Sequence, residues 1–309
     1  MRTENGTSRI QLTCVNFTPI YGDTRATLDK ILSMIADAAR DGSDLIVFPE
    51  MALCSWTACA ECTQLGRACD WHAREVSQTN DGPMVAALEQ ICARLGVHVV
   101  CGFMERDNDT TALYNSAALV SPRGLDHVVR KLHLGPVEVA LTPGASVDVW
   151  DTEFATVGVS ICADMWIHPE IPRLQALKGA SLLVSPTASV RRPEFSSRID
   201  DLAAGALTRA RENSCFVALA NLVGEPGDPN GDYCLGGSVI AGPRHPRMAE
   251  VIAQGGTDEG FTSAMIDFAE TWRLEQTLAW RRSREAGSAS ATLVAREFVH
   301  LAGLKLQDE

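Results

Sequence analysis

Three reactive side chains stand where apolar runs end: Glu50 closes "IVFPE", Lys131 follows "VVR" in "VVRKLHL", and Cys162 ends "VGVSIC". A thiol with an ordinary pKa of about 8.5 is mostly protonated at neutral pH, so a nucleophilic cysteine needs a base and a neighbouring cation. Glu50 is the candidate base and Lys131 the candidate cation. Attack on an acyl carbon builds an oxyanion, which the Lys131 ammonium and the backbone N–H of Ala163 can stabilise together. Taken singly, each side chain also has a plain structural role as core thiol, cap or surface charge. Their joint placement at strand ends is what points to chemistry.

A second concentration is "CSWTACAECTQLGRAC" at 54–69, with Cys54, Cys59, Cys62 and Cys69. Cys59-x2-Cys62 has the spacing of half a zinc site, but Cys54 and Cys69 complete no paired-knuckle pattern. Only His72 stands nearby as a further ligand. These cysteines are read as packing or pocket-lining groups, and no metal is assigned. A zinc or redox pair, and with it a non-catalytic metal-binding protein, is the alternative.

Positioning these groups falls to short apolar runs, read as strands, at 10–17, 44–48, 97–103, 114–120, 157–162, 180–185, 215–223, 236–242 and 263–268. Helical patterns lie between them. After Asp23, a capping residue, Leu28, Ile31, Leu32 and Ile35 recur on one face until "DG" at 41–42. Similar patterns fit 83–95, 171–179 and 199–213, so the class is α/β. Runs such as "LIVF" and "SLLVS" are apolar on both faces and need cover from a layer on each side. The expected organisation is a tail at 1–8, one domain over 9–285, and an extension at 286–309 that packs on a partner subunit or stays mobile.

The chain has 309 residues, 46% hydrophobic and 21% charged, with a formal net charge of −12. Its mean hydropathy is near zero. That balance excludes a disordered chain, and the scattered basic residues offer no footprint for nucleic acid or anionic lipid. The start "MRTENGTSRI" lacks the apolar region of a signal peptide, and no run approaches a membrane span. A small-molecule substrate and a cytoplasmic location are expected, with the ten cysteines mostly free thiols.

In order, "FPE", "RKLHL" with Glu138 and "TPG" following, and "GVSICADMWIHPE" at 158–170 resemble the three signature regions of the nitrilase (carbon-nitrogen hydrolase) superfamily. "SPTAS" at 185–189, "RARENSCFVALAN" at 209–221, "GGSVI" at 236–240 and "RR" at 281–282 are similar to its later landmarks. The resemblance covers about 10–285. It implies a four-layer α-β-β-α sandwich, Cys162 as nucleophile, Glu50 as general base and Lys131 as stabiliser of the oxyanion. It further implies that Glu138 positions Lys131 and the substrate nitrogen, that no cofactor is needed, and that the protein forms a homodimer or higher oligomer.

Residues beside these words are candidates to line the pocket: Ala163, Asp164, Met165 and Trp166 after Cys162, Trp56 after the acidic turn, and Thr187 in "SPTAS". His133, two residues past Lys131, would share a face with it if the segment stays extended; it either hydrogen-bonds in the site or serves structure. Nitrile-hydrolysing members usually carry Trp-Glu after the cysteine, where this chain has Ala163 and Asp164, so that activity is disfavoured. Met165 and Trp166 stand where N-carbamoyl amidohydrolases commonly carry arginines able to grip a carboxylate. An amidase reading remains, with an N-carbamoyl amidohydrolase and acyl transfer from the same thioester as alternatives.

Overall fold

The computed structural model describes residues 8–54, 60–191, 198–225, 233–278 and 296–297. Fifteen strands, seven α-helices and one π-helical turn (His72–Val76, after α2) follow one another there. They begin with β1 (Arg9–Asn16), α1 (Thr24–Arg40), β2 (Leu45–Val47), α2 (Ala60–Leu65), α3 (Pro83–Leu95), β3 (His98–Arg106), β4 (Leu113–Ser121) and β5 (Gly124–Arg130). Next come β6 (Val149–Asp151), β7 (Thr156–Val159), α4 (Ala163–Trp166), α5 (Glu170–Leu177), β8 (Leu182–Thr187), β9 (Val190–Arg191), α6 (Ile199–Asn213) and β10 (Phe216–Asn221). The chain continues through β11 (Val223–Gly224), β12 (Tyr233–Leu235), β13 (Val239–Arg244), β14 (Arg247–Gln254), β15 (Gly260–Asp267) and α7 (Ala269–Leu278).

One six-stranded sheet runs β15-β1-β2-β3-β4-β5 and a second runs β14-β13-β10-β8-β7-β6; β9, β11 and β12 form a small third sheet. The inner strands β1, β2 and β3 are parallel, as are β7, β8 and β10. Three apolar cores separate four layers. Ile31 and Ile35 of α1 and Leu88 of α3 pack on Val15, Ile46 and Val99 of the first sheet. Leu12, Val47 and Val100 meet Val159, Val184 and Phe216 between the sheets. Ala206 and Ala210 of α6 cover Leu183 and Val217 of the second sheet. This is the α-β-β-α sandwich, and the double burial of "LIVF" and "SLLVS" follows from it.

The helix ends obey local chemistry. The Asp23 carboxylate accepts the Ala26 N–H at 2.8 Å to cap α1, and α3 stops at Gly96 in the left-handed region (φ 72°). Differences from the sequence reading lie mostly at the sheet edges. Strands β5, β6 and β14 carry exposed or half-exposed residues, so they lack the continuous apolar run that reveals a buried strand. The strand expected over 157–162 stops at Val159, because Cys162 takes φ 47° and cannot continue an extended backbone. The residues 281–282, and 286–309 apart from 296–297, lie outside the described residues.

Candidate active site

Glu50, Lys131 and Cys162 arrive from the carboxyl ends of β2, β5 and β7 and meet at one end of the sandwich. The "FPE" turn hugs β3. The Phe48 N–H donates to Val100 O at 2.8 Å and the Gly102 N–H to Pro49 O at 3.2 Å. Residue 102 must be glycine, since a Cβ there would lie 2.4 Å from Pro49 O and 2.6 Å from Met51 N. Cys162 sits at a strained bend, a non-glycine residue with φ 47° and ψ −105°, held by its N–H on Pro186 O at 2.9 Å.

Lys131 Nζ donates to Glu50 Oε1 at 2.7 Å and to Glu138 Oε2 at 2.8 Å. Asn115 on β4 spans the same two acids, its Nδ2 donating to Glu50 Oε1 and Glu138 Oε1 at 2.7 Å each. The Ala188 N–H donates to Glu50 Oε2 at 2.9 Å, and the Cys162 thiol is near enough for that carboxylate to raise its pKa. All four of Glu50, Asn115, Lys131 and Glu138 are buried. Burial pushes Glu50 above the usual carboxylate range; the Lys131 ammonium opposes this and the Glu138 charge adds to it. Burial works against the Lys131 ammonium, yet Glu50, the Cys162 sulfur and Glu138 together hold its pKa above the ordinary lysine value. Burial, and then the Glu50 charge, lift the Cys162 thiol, against the pull of Lys131. At rest the cysteine is therefore a thiol beside a proton-hungry carboxylate and a fixed cation.

The remaining sequence candidates divide. Ala163 opens α4 directly after the thiol, so its N–H stands beside the sulfur-bearing residue. Met165 is fully buried in the core under α6, and does not face the acids. Trp166 leans on Gly205 of α6 and lines a neighbouring groove with Ser189 and Arg209. Thr187 is buried at the end of β8, its hydroxyl 3.1 Å from that of Ser185. His133 does not share a face with Lys131, because the chain turns after Arg130. The buried Asp164 carboxylate takes the Leu132 and His133 N–H groups at 2.8 and 2.9 Å and His133 Nδ1 at 2.8 Å. The His133 ring then stacks on His168 with centroids 3.4 Å apart, at the rim of the site. Trp56 and Cys59 lie outside the described residues.

One residue escapes the sequence reading: Asn115, whose single signal is an amide inside the mostly apolar run "YNSAALV". Asp164, expected to line the pocket, instead pins the segment after Lys131 to the helix after Cys162. Among the cysteines, Cys54 turns to Met51, its Sγ 3.6 Å from Met51 O and 3.4 Å from Met51 Sδ, away from Cys62, Cys69 and His72, which meet one another. An apolar cavity beside Glu138 is walled by Met51, Met104, Leu113, Val137 and Leu141, with Cys62 and His72 at its edge.

Fold and site together define a two-sheet α-β-β-α enzyme core with a cysteine, two glutamates and a lysine gathered at the strand ends. The family model described as carbon-nitrogen hydrolase matches residues 11–275. The chain belongs to this family, within the nitrilase superfamily, and is a hydrolase of carbon–nitrogen bonds other than peptide bonds. A nitrilase of Pyrococcus abyssi is 30% identical over 266 residues, covering 84% of this chain and 90% of its own. The omega-amidase NIT2-B of Xenopus laevis is 28% identical over 293 residues, covering 90% and 95%. Among solved structures, Nit3 of Saccharomyces cerevisiae superposes with a TM-score of 0.74 at 22% identity, covering 90% of this chain and 97% of that one.

Proposed function

We propose that the chain hydrolyses a small linear amide through a thioester on Cys162. The observation that carries this reading is the single buried network joining Glu50, Lys131, Glu138 and the Cys162 thiol. As the sulfur attacks the amide carbon, its proton passes to Glu50 and an S–C bond forms. Negative charge moves to the substrate oxygen, where Lys131 Nζ and the Ala163 N–H receive it. Glu50 then gives its proton to the departing nitrogen as the C–N bond breaks, leaving a thioester. In the second half Glu50 takes a proton from water, the hydroxide adds to the thioester, and the proton returns to sulfur with release of the acid. Glu138, fixed by Lys131, Asn115 and the Gly135 N–H at 2.5 Å, holds the ammonium in line and faces the leaving nitrogen.

The small cavity beside Glu138 has an acid and no guanidinium among its lining residues, which disfavours a substrate carboxylate such as that of an N-carbamoyl amino acid. Ammonia release across short aliphatic, aromatic and dicarboxylic amides, N-carbamoyl compounds and nitriles tests the assignment. Release from uncharged amides is expected, and release only from N-carbamoyl compounds or nitriles overturns it. Capture of the thioester by an added amine would show as amide product in place of acid. We further place the protein in the cytoplasm, whose reducing conditions suit a chain of ten cysteines. We assign the exposed Ile167, Leu174 and Leu177 around α5 to contact with a second copy; light scattering of Leu174→Glu against wild type is expected to show loss of the dimer. No described helix is long and apolar enough to cross a membrane.

A further inference from the structure

We propose that Cys62, Cys69 and His72 bind a zinc ion that fixes the chain segment walling the cavity beside Glu138. Cys62 comes from α2, and Cys69 and His72 stand three apart on one helical turn, where the Ala73 N–H donates to Cys69 O at 3.0 Å. All three are buried. Their ligand atoms lie within 4.8 Å of one another. The His72 Nδ1 is 3.5 Å from Cys62 Sγ and 3.1 Å from Cys69 Sγ. Zinc bonds of about 2.3 Å to sulfur and about 2.0 Å to nitrogen, opened to a tetrahedral angle, set such ligand atoms about 3.5 Å apart. Both sulfur–nitrogen separations lie at or within a few tenths of an ångström of that value.

The local chemistry favours a cation over a plain thiol–imidazole contact. Nδ1 has one lone pair or one proton, so a hydrogen bond from it serves one sulfur at a time, whereas a divalent ion takes both sulfurs and the nitrogen together. The Cys69 N–H already donates to Cys62 Sγ at 3.2 Å, the contact that stabilises a metal-bound thiolate. The donor set of two thiolates and one imidazole selects zinc over magnesium or calcium. Binding breaks two S–H bonds and releases both protons to solvent, and water fills the fourth position.

The location gives the ion a role. Cys62 and His72 border the cavity that Met51, Met104, Leu113 and Glu138 line, and the π-helical turn begins at His72, with the Ser77 N–H on His72 O at 3.0 Å. A wide turn of this kind is held poorly by its own hydrogen bonds, and a metal clip ties it to α2. The other histidine cluster, His133, His168 and Glu170, is part-exposed and lacks sulfur, so the two are separable by spectroscopy.

Zinc content after desalting, and the absorption of the cobalt-substituted full-length protein, test the proposal. Wild type, Cys162→Ala and His168→Ala are expected to retain about one zinc per chain, with a thiolate-to-cobalt charge-transfer band. Cys69→Ser and His72→Asn are expected to lose at least tenfold in zinc affinity and to lose or shift that band. A wild-type protein that retains no zinc when offered it, a cobalt complex without the sulfur band, or Cys62 and Cys69 recovered as a disulfide overturns the site. So does equal retention by the Cys69→Ser and His72→Asn proteins. The wild-type spectrum decides the matter even if a variant fails to fold.

Discussion

Burial penalises the charged form of Glu50, and the neighbouring Glu138 charge adds to that cost while Lys131 offsets it, so Glu50 lies above the usual carboxylate range. The sign for activity follows directly. Below its folded pKa Glu50 is protonated and cannot take the thiol proton, so kcat/KM should fall on the acid side with an apparent pKa above the ordinary value of about 4.3. Lys131 is held higher than usual, so no alkaline loss is expected up to about pH 9. An acid limb at or below 4.3 would contradict this. Asn115 donates to both carboxylates, and one bond to a charged group is worth roughly 1.5–3 kcal/mol. Asn115→Ala should therefore lower kcat/KM by about tenfold to a hundredfold. It should also move the acid limb upward, because the lost N–H donor favours ionised Glu50; a loss of activity with an unmoved limb would assign Asn115 to structure alone. Glu50, Lys131 and Cys162 were legible because each ends an apolar run within a recognisable word. Asn115 was not, since an amide facing inward from a strand has no spacing that sets it apart from a polar outward residue.

The site depends at the level of elements on how tightly β2 and β3 approach. Gly102→Ala would drive a Cβ to within 2.8 Å of three backbone atoms of residues 49–51. The variant should lose about 3 kcal/mol of stability by overpacking and, if it folds, lose activity through displacement of Glu50. Urea denaturation and a kinetic assay check this, and a fully active, equally stable variant would refute the role given to the turn. The inner strands and the helices α1, α3 and α6 were readable because burial on one face of a helix, or both faces of a strand, writes a period into the chain. Edge strands β5 and β14 were not, because one side of each meets solvent. His133 was misplaced for a long-range reason: Asp164, thirty-one residues on, collects the two amides that make the chain turn. Nothing local in "RKLHL" announces that partner.

Across the whole molecule the two sheets share one core, so damage there should spread to the site. Phe216 is buried between them, packs edge-on to Phe268 at 5.7 Å, and lies so close to Gly242 that a Cβ there would fall 2.1 Å from its ring. Phe216→Ala should cost about 3–5 kcal/mol and lower the denaturation midpoint in a single transition; a change below about 1 kcal/mol would show that the inter-sheet core is not continuous. The sandwich exists, in functional terms, to hold the ends of β2, β5, β7 and β8 against one another, which is why residues eighty or more apart in sequence converge on one ammonium. Intact mass spectrometry of wild type and Cys162→Ala, quenched soon after mixing with an uncharged amide that releases ammonia, is the most direct test of that account. An acyl mass on wild type alone, localised to the peptide containing Cys162 and decaying as acid appears, is predicted. Turnover that survives in Cys162→Ala, or an adduct on any other cysteine, would contradict it.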